Sequence, residues 1–274
     1  MWCFKRGTRM NHYLVISLCI IFQVMNMTAQ SVNVDFSKMH FGCDGNSITA
    51  GNQWSATVVG LLGFASHHNV AIGSATWASY PDTQNYGEEG FAGISDGWQP
   101  TDDDIEIQKR HNNVAKVHIQ KFITEVANGV YPPPDIFVFS LGTNDMYPGN
   151  VAAVLDTNNL KMSDRYTMAA GAFDAILAIQ ENYPACKVFL CTPIQSGDSL
   201  RNQFNQHKIN VLRGVCEALS VEVIDCYSGC GIVAELEYPD SAGRYLRDGL
   251  HPNEEGQQLM GRYIATEIQN KYHR

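Results

Sequence analysis

After its first 29 residues the chain has no apolar run long enough to cross a bilayer, which needs about 20 such residues. It has no internal repeat and no low-complexity tract, and its Gly and Pro are scattered, so a repeat architecture is not expected. Basic residues are scarce. Nineteen Lys and Arg stand against 28 Asp and Glu, a formal net charge of −9. An acidic surface argues against nucleic acid or an anionic membrane as a partner. No His accompanies the cysteines at zinc-finger spacing, so a structural metal site is not expected.

The 274 residues are 45% hydrophobic and 17% charged, enough apolar material for a sizeable core. Residues 1–29 stand apart. Lys5, Arg6 and Arg9 make a basic start, Tyr13 to Phe22 is almost unbroken apolar sequence, and Met27-Thr28-Ala29 ends in a small residue. That order predicts a secretory signal peptide over 1–29 and an exported protein, periplasmic or extracellular, with no membrane contact after cleavage. Residues 30–274 then form a single domain with a net charge of −12. Six cysteines remain in it. Cys226 and Cys230 are close enough in sequence to pair as a disulfide. Cys43, Cys186 and Cys191 lie in or beside apolar runs and equally fit free buried thiols.

Short apolar runs alternate with helical spacing. Strands are expected at Met39–Cys43, Asn69–Ile72, Ile136–Leu141, Lys187–Cys191 and Val221–Ile224. Helices are expected at Trp54–Leu62, Val114–Val126, Tyr166–Gln180, Ser199–Leu219 and Glu254–Lys271. This alternation predicts an α/β fold, a parallel sheet covered by helices on both faces. Residues 77–104 lack a clear period and read as an insertion.

Three segments hold the residue types of nucleophilic catalysis, each after a predicted strand or before the last helix. Ser47, in Gly45-Asn46-Ser47-Ile48, lies near a helix N-terminus, which suits a nucleophile whose attack creates an oxyanion, although an N-cap serine is the commoner residue at such a place. Asn144, in Gly142-Thr143-Asn144-Asp145, offers a side-chain amide at a strand's carboxyl end, or simply a turn. Asp248 precedes His251 by three residues, so a compact turn can let the carboxylate orient the imidazole. His67, His68, His111, His118, His207 and His273 lack such a setting and read as surface residues.

Together these segments resemble the GDSL or SGNH hydrolases over most of residues 39–270. The resemblance implies a three-layer α/β/α sandwich and a serine esterase with Ser47, Asp248 and His251 as its triad. It implies an oxyanion hole made by the Ser47 N–H, an N–H of Gly73 or Ser74, and the Asn144 amide, with no metal or organic cofactor. Asn46 departs from the Asp of the family's Gly-Asp-Ser-Leu motif. Export suggests a carbohydrate esterase that removes acetyl groups. Trp77, Trp98 and Tyr147 are candidate substrate contacts, because aromatic faces can stack on sugar rings. A lipase, lysophospholipase or thioesterase is the alternative enzyme, and a non-catalytic glycan-binding protein is the alternative from another class.

Overall fold

The computed structural model describes residues 34–78 and 113–272. Five strands form one sheet: β1 (His40–Gly45), β2 (Ser66–Asn69), β3 (Ile136–Ser140), β4 (Lys187–Cys191) and β5 (Glu222–Ile224). All pairings are parallel and the order is β2-β1-β3-β4-β5. Parallel strands must be joined by crossovers, and the long ones here are helical. The helices are α1 (Ser47–Ala50), α2 (Gln53–Leu62), α3 (Ala115–Ala127), α4 (Val151–Leu155), α5 (Met162–Arg165), α6 (Met168–Asn182) and α7 (Ser199–Ala218) between strands, with α8 (Cys226–Gly229) and α9 (Glu254–Lys271) after β5.

The period of two along β3 divides its side chains between two layers. Phe137 and Phe139 join the cluster made with Ile119 and Phe122 of α3, Ile176 of α6 and Leu212 of α7. Ile136 and Val138 are equally buried and turn to the opposite face. There α2 and α9 pack against each other. Each fully buried side chain of this kind contributes roughly 1.5–3 kcal/mol.

Nine of the ten expected strands and helices fall within a residue or two of the observed ones. β2 differs. The apolar run Asn69–Ile72 predicts the strand there, but the ladder begins earlier, on the polar Ser66-His67-His68-Asn69. An edge strand with one neighbour needs no apolar sequence. Pairing still runs on past it, since the Val70 and Ile72 N–H groups donate to the Cys43 and Gly45 carbonyls. Most of the expected 77–104 insertion, with Trp98, lies outside the described residues.

Chain order reverses around β1, whose neighbours are β2 and β3. In open parallel sheets the crevice at the carboxyl ends of such strands is where ligands bind. The turns after β2, β1 and β3 hold Gly73 and Ser74, Ser47, and Asn144 respectively. Adjacent strands therefore deliver three of the sequence-predicted groups to one edge.

Candidate active site

Ser47 is the first residue of α1 and is half-buried. The N-cap is its neighbour Asn46, whose side chain accepts from the Ile48 N–H at 3.0 Å. Capping therefore leaves the Ser47 hydroxyl free for another partner. Gly45 is needed for this tight strand-to-helix exit, because a Cβ there would collide with Thr49 and the Ser140 carbonyl.

That partner comes from the far end of the chain. Ser47 Oγ lies 2.8 Å from His251 Nε2, and His251 Nδ1 lies 2.8 Å from Asp248 Oδ2. The turn between them is closed locally. Asp248 Oδ1 accepts from the His251 N–H at 2.7 Å and the Leu250 N–H at 3.1 Å. Gly249 makes this possible at φ 76°, where a Cβ would strike the Tyr238 carbonyl. Burial pushes the Asp248 carboxyl up, but the His251 and Leu250 hydrogen bonds outweigh it and hold the group below its ordinary range. An ionised Asp248 accepts from Nδ1–H, which leaves Nε2 as the acceptor facing the serine. Helix α9 fixes the long-range part. Gln257 donates to the Ile48 carbonyl at 2.9 Å and accepts from the Trp54 N–H at 3.2 Å. One buried amide thus ties the helix after His251 to both α1 and α2.

Asn144 is half-buried and donates through Nδ2 to the Ala75 carbonyl at 3.0 Å, which uses one of its two amide protons. Gly73 lies beside Ser47, and a Cβ on it would sit 3.9 Å from the Ser47 Cβ. Ser74 stands next in the same turn at φ 64°. The turn is closed by the Ala75 N–H donating to the Ile72 carbonyl at 3.2 Å. Tyr147 is half-buried and its carbonyl accepts from the Met168 N–H.

Trp77 needs a correction. It has no exposed surface, its ring packs on Phe139 at 5.1 Å between centroids, and it cannot stack on a sugar. Its apolar area belongs to the core. His118 needs another: it is 4% exposed, not a surface residue, and it pairs with Asp44 at 3.0 Å. His67 and His68 are half-buried on β2, and burial lowers the pKa of both. His207 is exposed as expected, whereas His111 and His273 lie outside the described residues.

Beneath Asn144 lies a pair of buried charges. The Asp145 carboxylate accepts from the Trp77 N–H at 3.1 Å and the Ala78 N–H at 2.9 Å. Burial raises its pKa to about 6, against the pull of those bonds and of the Lys208 charge. Lys208, on α7 and 1% exposed, donates to the Thr143 and Asp145 carbonyls at 3.1 and 3.2 Å. Burial lowers its pKa to about 8, with Asp145 opposing the drop. The two groups thus hold the turn on either side of Asn144 and tie it to the turn after β2.

Lys208→Met should lower stability by about 3 kcal/mol at pH 7, because it strands the Asp145 carboxylate and two carbonyls. The deficit should shrink at pH 5. Asp145 titrates above its ordinary value in the fold, so at lower pH it is neutral and no longer needs a counter-charge. Urea unfolding of both proteins at the two pH values reads this directly.

A sequence model of the GDSL-like lipase/acylhydrolase family matches residues 43–259, from β1 through the Asp248–His251 turn into α9. The chain belongs to this family. As a GDSL-like acylhydrolase it is a carboxylic ester hydrolase. Solved structures share its fold at low identity. A protein from Lactobacillus plantarum is 16% identical with a TM-score of 0.55, covering 87% of this chain and 99% of its own. A carbohydrate esterase family 2 enzyme from Corynascus thermopiles is 18% identical with a TM-score of 0.52, covering 86% of this chain and 67% of its own. An acetylxylan esterase from Geobacillus stearothermophilus, solved as a catalytic mutant, is 17% identical with a TM-score of 0.50, covering 86% and 96%. No curated protein matches the sequence.

Two features of this acylhydrolase lie outside the three segments yet leave a signal in the sequence. On α3, Ala115, His118, Ile119 and Phe122 make one buried stripe, with a histidine in an apolar row. On α7, Asn205, Lys208, Ile209 and Leu212 do the same with a lysine. A polar residue on a buried stripe marks a group that must have a partner. The six cysteines from Cys43 onward are free thiols, five of them buried. Burial holds the Cys43 and Cys216 thiols well above their ordinary range, so they stay protonated and unreactive.

Proposed function

We propose that the protein is an exported serine esterase that removes short acyl groups, acetyl above all, from carbohydrate. The observation that carries this reading is the unbroken 2.8 Å contacts from Ser47 Oγ to His251 Nε2 and from His251 Nδ1 to Asp248 Oδ2. In the proposed reaction His251 Nε2 takes the hydroxyl proton as Oγ bonds to the ester carbon. The carbonyl π pair moves onto oxygen. The N–H groups of Ser47 and of Gly73 or Ser74, with the second Asn144 amide proton, hold that oxyanion. Asp248 stabilises the imidazolium without taking its proton. Collapse breaks the ester C–O bond, and His251 protonates the leaving alcohol. Water, deprotonated by the same nitrogen, then releases the acid from Ser47.

The wall beside His251 supports a hydrophilic alcohol. A cleft of about 370 Å³ there has Ser196, Asp198, Arg201, Asp240 and Asp248 as its polar lining and Pro239 and Leu250 as its apolar lining. Its polar rim suits sugar hydroxyls better than a long acyl chain. An acetylxylan esterase and a carbohydrate esterase family 2 enzyme with the same fold point the choice of substrate the same way. The basic and apolar start of the sequence supports export, and no helix among the described residues is long and apolar enough to cross a membrane. Asn46 gives no support to a non-catalytic protein, because its side chain caps α1.

A chain-length series tests the reading. p-Nitrophenyl acetate should be hydrolysed with a kcat/KM at least ~100-fold above that of the decanoate. Acetate should also be released from acetylated xylo-oligosaccharides. Preference for the decanoate would mark a lipase instead, and no turnover of any ester by the intact protein would leave only a binding role.

A further inference from the structure

The turn after β2 is an awkward piece of backbone. Ser74 occupies the left-handed region at φ 64°, which costs a non-glycine residue roughly 1–2 kcal/mol. Ile72, Gly73 and Ser74 are all exposed, so packing does not hold the tip in place. Strained backbone at such a position persists only when its surroundings fix it.

A buried polar chain reaches the turn from below. Asn113 Nδ2 donates to the Gly73 carbonyl at 2.6 Å. Asn113 Oδ1 lies 3.1 Å from His118 Nε2, and His118 Nδ1 lies 3.0 Å from Asp44 Oδ1. Asp44 is the strand residue three positions before Ser47, and its Oδ1 also accepts from the Gly45 N–H at 2.8 Å. Asp44, Asn113 and His118 are 0%, 2% and 4% exposed. The chain thus runs from the strand that ends at the nucleophile to the turn beside it.

Donor and acceptor rules fix the proton pattern. The Gly73 carbonyl only accepts, so Asn113 must present Nδ2 to it and Oδ1 to His118. His118 Nε2 must therefore be protonated. One further proton lies between His118 Nδ1 and Asp44. Across a trans peptide the C=O and the next N–H point in opposite directions, so gripping the Gly73 carbonyl also sets the direction of the Ser74 N–H. That direction is away from buried Asn113.

We infer that Asp44, His118 and Asn113 are positioning residues that hold the 72–75 turn in the geometry needed to stabilise the oxyanion. The inference rests on the proposed serine mechanism, in which this turn supplies a donor. It places a second carboxylate–imidazole pair in the molecule, one that acts on backbone instead of on a nucleophile.

The test compares steady-state kinetics of wild type, Asn113→Ala and the isosteric Asn113→Asp on p-nitrophenyl acetate. Both variants should lose on the order of 100-fold in kcat with KM changed by less than ~3-fold, because a misplaced donor affects the transition state more than the ground state. Adding His118→Gln to Asn113→Ala should cause little further loss, since the two act in series. Folded variants with wild-type kcat, or a loss confined to KM, overturn the inference. An inactive wild type, or an active Ser47→Ala protein, overturns the serine mechanism itself and is thereby distinguishable. A readout on the unaltered protein guards against variants that do not fold. ¹⁵N NMR of the His118 ring at pH 7 should show a protonated Nε2, and a bare Nε2 with the proton on Nδ1 alone would also sink the idea.

Discussion

Ser47→Ala is expected to lower kcat for p-nitrophenyl acetate by about 10⁴- to 10⁶-fold, down to what the oxyanion donors and binding alone provide. The loss should be purely chemical. Asn46 caps α1, so the serine side chain has no capping duty, and its hydrogen-bond partner is His251. Thermal unfolding should shift by no more than ~2 °C, consistent with a half-buried site whose loss opens no core cavity. His251→Ala should fall in a similar range, and the double variant should be little worse than either single one, because a serine without its base and a base without its serine are the same broken unit. Labelling by a fluorophosphonate probe should disappear with Ser47. Residual activity above ~1% of wild type would place the nucleophile elsewhere, since effects of a triad serine run to several powers of ten.

Removing the Asn144 amide is the second large effect. Asn144→Ala should lower kcat by about 100- to 1000-fold with KM nearly unchanged, the pattern of a donor that acts only on developing charge. The side chain is pre-aimed. Its Nδ2 already gives one proton to the Ala75 carbonyl, and Lys208 holds the carbonyls of both flanking residues. In the proposed mechanism, little reorganisation is then needed when the oxyanion forms. Asn144→Asp keeps the shape but sets a negative charge where the oxyanion forms, so at pH 7 it should be worse than the alanine variant. A rise in KM at constant kcat, measured under single-turnover conditions as well, would assign Asn144 to substrate binding instead.

The legible part of the site is the part in which local sequence dictates local geometry. Asp248, Gly249 and His251 form a self-closing turn, with the glycine at positive φ and the carboxylate capped by two nearby N–H groups. Short-range patterns of that kind survive any tertiary context. The buried strand β3 and the amphipathic α9 were legible for the same reason, since the period of burial is written along each element. Trp77 misled because an aromatic beside a loop suits a binding wall as well as a core, and only packing against Phe139 decides between them. His118 misled because its partners lie 74 and 5 residues away, and a lone histidine carries no mark of a distant aspartate.

By itself, then, the sequence determined the alternation of strands and helices, the parallel sheet and the three segments that the family shares. Tertiary structure decided which of these groups touch. Ser47 and His251 are 204 residues apart and meet because α9 packs on α2 and Gln257 pins it to α1. Packing of α3 and α7 with α6 in the other layer put Lys208 and Asp145 beneath Asn144, and His118 and Asn113 beneath Gly73. Local patterns depend on neighbours within a turn or two of chain. Contacts between distant segments depend on how whole faces pack, and one residue type at one position does not encode that.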